Sequence, residues 1–401
     1  VSAGAQAAPR TAARLDRIEP FWVMEFAKLA QQVAQGPACD PSRGGRSMLY
    51  LNIGEPDFTA PERVREAAQR CLAAGHTQYT QATGLPALRE AISAWYASRF
   101  GLAVDPGRIV LTAGASAALQ LVCLALFERG DEVLLPDPSY PCNRHFVAAT
   151  DARAVLVPAD AHSRWQLSAA QVEAHWNTAT RGVLLASPSN PTGTSIAADE
   201  MARIVAAVRA RGGVTIVDEI YLGLSYDPRF GRSALALGDD VISVNSFSKY
   251  FSMTGWRLGW LVLPPALVAP VERLAQNLFI CPSTLAQHAA LACFEPESIA
   301  EYERRREAFR ARRDVVVPAL ERLGLPVPVQ PDGAFYAWAD VSRHADSSWA
   351  LCERLIHEAQ VALTPGRDFG PAHAERHLRL SFASSLERLE DALHRIGRVL
   401  G

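Results

Sequence analysis

The sequence predicts an α/β protein with a mostly parallel central sheet in a large unit and a smaller α+β unit beside it. Three observations carry this. Between about residues 105 and 265, short β-branched or apolar runs alternate with helical stretches, the pattern of strands joined by crossover helices. Several of those runs are apolar without interruption, as strands covered on both faces are. Beyond a long Glu- and Arg-rich helical stretch at 298–323, isolated strands and helices replace the alternation.

In chain order, residues 18–34 have helical spacing and precede the extended Leu49-Tyr-Leu-Asn-Ile; this N-terminal segment, 1–53, is expected to complete the smaller unit. The Gly-, Pro- and Arg-rich stretch 36–46 reads as a mobile loop. The large unit, 54–295, holds candidate strands at 108–112, 132–136, 154–158, 182–186, 214–217, 241–244 and 257–263, with helices such as 115–128 and 197–211 between them. The smaller unit, 296–401, follows with the helix 298–323, the run Gly333-Ala-Phe-Tyr-Ala-Trp-Ala, a helix at 348–358, the strand His377-Leu-Arg-Leu-Ser-Phe and a last helix at 386–400.

Composition narrows the function classes. With 49% hydrophobic and 20% charged residues the chain buries a core and is not disordered, and 40 basic against 42 acidic side chains exclude the strongly basic face of a nucleic-acid binder. The longest apolar stretch, 260–271, is short for a bilayer span and carries Pro264, Pro265 and Pro270, so no membrane helix is expected. Residues 1–14 lack an apolar core, which argues against a secretory signal. Seven cysteines, an odd number without a C-x-x-C pair, fit a reduced cytoplasmic chain. Of the 40 basic residues only Lys28 and Lys249 are lysine, an imbalance that codon bias explains.

Ligands of open α/β sheets sit beyond the carboxyl ends of the strands. Four candidate strand ends carry polar clusters: Gly114-Ala115-Ser116, Ser187-Pro-Ser-Asn190-Pro191-Thr-Gly193, Asp218-Glu219-Ile-Tyr221 and Ser246-Phe-Ser248-Lys249, the last followed by Gly255-Trp-Arg257-Leu-Gly-Trp. Together with Asn52-Ile-Gly54-Glu-Pro-Asp-Phe, Tyr79-Thr-Gln-Ala-Thr-Gly84, Asp137-Pro-Ser-Tyr140-Pro and Arg379, these strings occur in the order in which they stand in the class I/II aminotransferases. From about Phe21 to the C-terminus the chain resembles that family, whose members are pyridoxal phosphate-dependent transferases of fold type I.

The resemblance implies a role for each position. An ordinary lysine amine, with a pKa of about 10.4, is protonated at neutral pH. Partly desolvated and near other cations, Lys249 would serve as the Schiff-base lysine and then move a proton between the substrate α-carbon and the cofactor. Asp218 would keep the cofactor's ring nitrogen protonated, and Tyr221 with Asn190 would donate to its phenolic oxygen. Ala115 and Ser116, at a helix start, would offer N–H groups to the phosphate, joined by Ser246, Ser248 and Arg257. Tyr140 would cover one ring face. Arg379 would clamp the substrate carboxylate, and Gly54 would allow close backbone approach as part of a closing segment. By the same resemblance Tyr79 reaches the phosphate of the neighbouring subunit, implying a homodimer with shared active sites.

The expected reaction is ping-pong transfer of an amino group from an L-amino acid to a 2-oxo acid, with 2-oxoglutarate as acceptor. Some dicarboxylate-preferring relatives have a lysine where this chain has Ser116, so a neutral or aromatic donor is expected, with Phe21, Trp22 and Phe335 as candidate pocket walls. A β-C–S lyase on the same scaffold would use the same Lys249, Asp218 and Arg379. A non-catalytic effector-binding module is disfavoured, because the matching region starts too early for a DNA-binding domain ahead of it. No metal site is expected: His373-Ala-Glu-Arg-His377 has i, i+4 spacing but not the H-E-x-x-H order. Neither G-x-G-x-x-G in a strand-helix unit nor G-x-x-x-x-G-K supports a nucleotide site. The Arg/Glu run 301–313 reads as a solvated helix face.

Overall fold

The structure, a computed structural model, describes residues 9–401. Residues 1–8 of the Ala-rich N-terminal stretch lie outside the described residues. All seven expected strands form: β1 (Ile109–Thr112), β2 (Glu132–Asp137), β3 (Arg153–Pro158), β4 (Thr180–Ala186), β5 (Val214–Asp218), β6 (Ile242–Ser246) and β7 (Gly259–Val262). They make one sheet of order β1-β7-β6-β5-β4-β2-β3, in which β7 pairs antiparallel with both its neighbours and the other pairings are parallel. Every residue of β1, β6 and β7 is buried, which is why β1 and β7 show no polar alternation, while β6 buries Ser243, Asn245 and Ser246 as well.

The helices that bear on the site are α1 (Trp22–Ala34), α2 (Glu62–Ala73), α3 (Gly114–Leu126), α4 (Ala198–Arg209), α5 (Thr284–Leu291), α6 (Pro296–Arg322), α7 (Ser348–Ala359) and α8 (Leu386–Leu400). Helix α3 lies against the sheet through Ala118, Leu119, Leu121 and Val122, and α4 covers it through Ile204, Val205 and Val208. A second sheet, β9-β10-β8, contains β8 (Tyr336–Asp340), β9 (Thr364–Pro365) and β10 (His377–Ser381), all antiparallel.

The N-terminal segment does pack on the C-terminal elements. Leu49–Tyr50 pairs in parallel with Val361–Ala362. The Trp22 and Val23 N–H groups at the start of α1 donate to Asp368 Oδ1 and Oδ2 at 2.9 and 3.3 Å, so a remote carboxylate satisfies the exposed end of the helix. Phe26 meets Trp349 of α7 edge-on, with ring centroids 4.5 Å apart.

Three local expectations change. Helix α1 starts at Trp22, not at 18, and a separate 3-10 turn covers Ala13–Arg17. Residues 36–46 hold two 3-10 turns, Pro37–Cys39 and Pro41–Arg43; Asp40 accepts from Ser42 N–H at 2.9 Å and Cys39 is buried, so the stretch has structure of its own. The Arg/Glu run is not wholly solvated. Arg312 of α6 is buried and bidentate with Asp57 (2.7 and 2.9 Å), and Arg305 donates to Thr59 O, so α6 grips the segment that follows Gly54. No described helix is long and apolar enough to cross a membrane, and all seven cysteines are unpaired.

Candidate active site

A parallel sheet delivers the end of each strand to one edge, and here that edge faces β8 and β10. Between them lies a cavity of about 230 Å³. Eleven of the positions singled out in the sequence line it: Gly54, Ala115, Ser116, Tyr140, Asn190, Asp218, Tyr221, Ser248, Lys249, Arg257 and Arg379. Strand alternation explains the selection at the end of β5. Asp218 lines the cavity, whereas buried Glu219 holds the opposite side of the strand end, accepting from Ser233 Oγ, Ser243 Oγ and Ala234 N–H at 2.7–2.8 Å.

Lys249 Nζ donates to Gly54 O at 2.6 Å. Burial is the main cause that pushes its amine down to about 8, with Arg379 and Arg257 adding to the effect and Glu55 and Asp218 opposing it. Asp218 moves the other way. Burial raises its carboxyl to about 7 against the hydrogen bond from Ile220 N–H (3.0 Å) and the pull of Lys249. The Tyr221 hydroxyl lies 2.7 Å from that of Tyr336, and burial raises the pKa of both phenols.

Arg379 on β10 is held as a planar fork. Its Nη1 donates to Asn190 Oδ1 at 2.8 Å, and Nη2 donates to Asn52 O at 2.5 Å and Thr364 Oγ1 at 3.3 Å. The guanidinium stacks over Tyr336 (4.5 Å) and Phe369 (5.0 Å). Because the Asn190 amide oxygen is taken by Arg379, its NH2 is the end left to donate.

At the opposite end α3 begins. Gly114 has φ +80°, and a Cβ there would stand 2.5 Å from Arg257 Nη2; a Cβ on Gly259 would meet Gly114 C and Ala115 N at 2.8 and 2.9 Å. Two glycines thus allow the arginine and β7 to close on a helix N-terminus whose first N–H groups, at Ala115 and Ser116, have no intrahelical acceptor.

Two predicted positions stand apart. Ser246 is buried behind Ser248: its hydroxyl lies 2.9 Å from Ser248 Oγ and 3.0 Å from Leu258 O, and accepts from Ser248 N–H, so it holds Ser248 instead of lining the cavity. Tyr79 is 79% exposed and lies outside the cavity of its own chain. Of the expected walls, Phe21 lines the cavity and meets Tyr140 edge-on at 6.2 Å. Trp22 does not; it packs on Trp349 beneath Arg367. Phe335 is fully buried behind Tyr221, and its neighbour Tyr336 lines the cavity instead. At Gly54, which lines the cavity, the missing Cβ also makes room for the Tyr336 hydroxyl, 2.3 Å from where that atom would be. Sequence reasoning missed Tyr336, and it missed Asn52 and Thr364 as holders of Arg379. The alternation along Ala334-Phe335-Tyr336 is the one signal for Tyr336, but it does not say which face looks at the large sheet. The His373/His377 pair is not helical. His377 starts β10, and His373 Nε2 contacts Ala159 O at 2.7 Å.

These residues fit pyridoxal phosphate. Asp218 is a buried carboxylate for which the structure gives one hydrogen bond, and a ring N–H would supply the missing partner. Arg257 beside the α3 N-terminus suits a phosphate. Arg379 Nε is buried without a partner, a donor left for a carboxylate. What the sheet order and these strand ends define is the fold type I class of pyridoxal phosphate-dependent enzymes.

Within that class the chain belongs to the class I and II aminotransferases. Residues 46–396 match the family described as Aminotransferase class I and II. The chain is 39% identical to a valine–pyruvate aminotransferase of Mycobacterium tuberculosis, with 95% of this chain and 96% of the relative covered. It is 34% identical to an aspartate/prephenate aminotransferase of Thermus thermophilus, over 91% and 94% of the two chains. Among solved structures, an aminotransferase from Mycobacterium tuberculosis superposes with a TM-score of 0.92 at 38% identity, covering 98% of this chain and 99% of that one. The protein is a pyridoxal phosphate-dependent aminotransferase.

Proposed function

We propose that this enzyme moves an amino group from a neutral, apolar L-amino acid to a monocarboxylic 2-oxo acid, with Lys249 as cofactor anchor and proton carrier. The observation that carries the chemistry is the buried Lys249 amine held at about 8 beside Asp218, because a substantial neutral fraction can then act as nucleophile and base near neutral pH. When bound, pyridoxal phosphate supplies an electron sink for the charge that develops at the substrate α-carbon. Asp218 would hold the ring nitrogen; Tyr221 and the Asn190 NH2 would donate to the ring oxygen; Ser248, Arg257 and the Ala115 and Ser116 N–H groups would hold the phosphate. Arg379 would fix the substrate carboxylate, and Lys249 Nζ would take the α-proton.

The substrate class follows from charge. The cationic side chains lining the cavity are Lys249, Arg257 and Arg379, and each has a role in that scheme. Position 116 is serine, and Val23, Met24, Ile53 and Leu119 add apolar surface. A second substrate carboxylate would be desolvated there without a partner, which is costly. The same argument favours pyruvate over 2-oxoglutarate as acceptor, and the valine–pyruvate relative supports that pairing. The proposed working unit is a homodimer in which Tyr79 completes the neighbour's phosphate site; its exposure away from its own cavity supports this.

Steady-state kinetics test the reading. Valine, alanine or phenylalanine with pyruvate should give a kcat/KM above that of aspartate by about tenfold or more. A preference for aspartate would overturn the substrate class. Release of pyruvate and ammonia from cystathionine without an added 2-oxo acid would point to the lyase reading.

A further inference from the structure

Away from the cavity, three side chains take no part in the chemistry above. Cys71 stands in the last turn of α2, His76 three residues beyond the end of that helix, and His288 in the last half of α5. The Cys71 sulfur and one ring nitrogen from each histidine lie within 4.8 Å of one another. A tetrahedral zinc holds sulfur and nitrogen ligands roughly 3.3–3.6 Å apart, so small side-chain rotations close the triangle. The imidazoles already face each other, with centroids 5.5 Å apart and planes tilted by 34°. Cys71 Sγ donates to His76 O at 3.2 Å, a weak bond that is easily exchanged.

We propose that Cys71, His76 and His288 form a site for a borderline-soft divalent cation, zinc above all, with solvent in the fourth position. One thiolate and two imidazoles suit that ion better than a hard cation that prefers oxygen. Binding forms one metal–sulfur and two metal–nitrogen bonds and releases the Cys71 thiol proton to solvent.

The site would act on the segment that runs to Tyr79. Helix α5 already holds it: Thr284 Oγ1 donates to Gln78 O at 2.7 Å, Gln287 Nε2 donates to Thr80 Oγ1 at 3.0 Å, and Gln287 Oε1 accepts from Leu85 N–H at 2.8 Å. An ion joining α2 and α5 through His76 would fix the beginning of the same segment.

The test is a titration of the reduced, metal-stripped holoenzyme with Co²⁺, read as difference spectra. A near-ultraviolet thiolate-to-cobalt band and the visible bands of four-coordinate cobalt should saturate at one ion per chain and disappear on adding Zn²⁺. The Cys71→Ser variant should lose the near-ultraviolet band. His76→Ala, which alters an exposed side chain and leaves the core untouched, should weaken Co²⁺ binding by about a hundredfold. No thiolate band on the wild-type protein, a band that persists in Cys71→Ser, or unchanged affinity in His76→Ala would overturn the proposal. The last result decides the matter even where Cys71→Ser fails to fold.

Discussion

Burial moves Lys249 and Asp218 in opposite directions, and both shifts favour the less charged form. Without cofactor this has a consequence for stability. Asp218 titrates near an ordinary 3.8 in the unfolded chain and at about 7 in the fold. Below the lower value the group is protonated in both states and adds nothing. Above the higher value it is ionised in both, and the folded state bears the full cost of the buried charge. Stability of the cofactor-free protein attributable to Asp218 therefore falls as pH rises from about 4 to about 7. Asp218→Asn should gain in melting temperature on the cofactor-free wild type across that window; a constant difference would contradict the assignment. Lys28 marks the contrast. On the exposed face of α1 it pairs with Glu25 at 2.8 Å, an i, i+3 surface contact of little energetic weight. Arginine can replace a lysine of that kind, but its guanidinium keeps its proton and cannot act as an amine nucleophile.

At the scale of elements, the site rests on where strands stop and on how tightly α3 is approached. Gly114→Ala would set a Cβ 2.5 Å from Arg257 Nη2 at a φ of +80°. It should lower the affinity for pyridoxal phosphate by about tenfold or more while the protein stays folded, measured by cofactor titration and circular dichroism. Unchanged affinity would show that Arg257 and the helix start do not hold the phosphate. Most of this frame was legible in the sequence, because β1 to β7 fall on mainly apolar runs and four of those strand ends, on β1, β4, β5 and β6, carry polar clusters. The two-residue pairings Leu49–Tyr50 with Val361–Ala362, and β9, were not. Segments so short carry no periodicity, and long-range partners define them. The 36–46 stretch was misread for a related reason: Asp40 capping and the burial of Cys39 give order that Gly and Pro content conceals. Ser246 shows how far resemblance reaches, since it identifies the string Ser-Phe-Ser-Lys but not which hydroxyl faces the cavity.

For the whole molecule, the active site is a seam between two sheets, and the N-terminal segment, with the start of α1 held by Asp368, brings Phe21, Val23 and Met24 to it. Tyr336, Asn52 and Thr364 belong to that seam, which is why a strand-by-strand reading of the large sheet passed over them. The proposed dimer adds a further seam. Tyr79→Phe should weaken cofactor binding by about tenfold or more. Mixing that variant with Lys249→Ala under subunit exchange should then restore sites of wild-type affinity, because a mixed dimer unites an intact Lys249 with an intact Tyr79 from the other chain. No restoration would mean that Tyr79 serves its own chain or neither.

The central claim is that Lys249 carries the cofactor, and the chain offers two lysines on which to test it. Borohydride reduction of the holoenzyme followed by peptide mass mapping should find the phosphopyridoxyl group on the peptide containing Lys249, and none in the Lys249→Ala variant. The group on Lys28, or undiminished labelling and transamination by Lys249→Ala, would contradict the account.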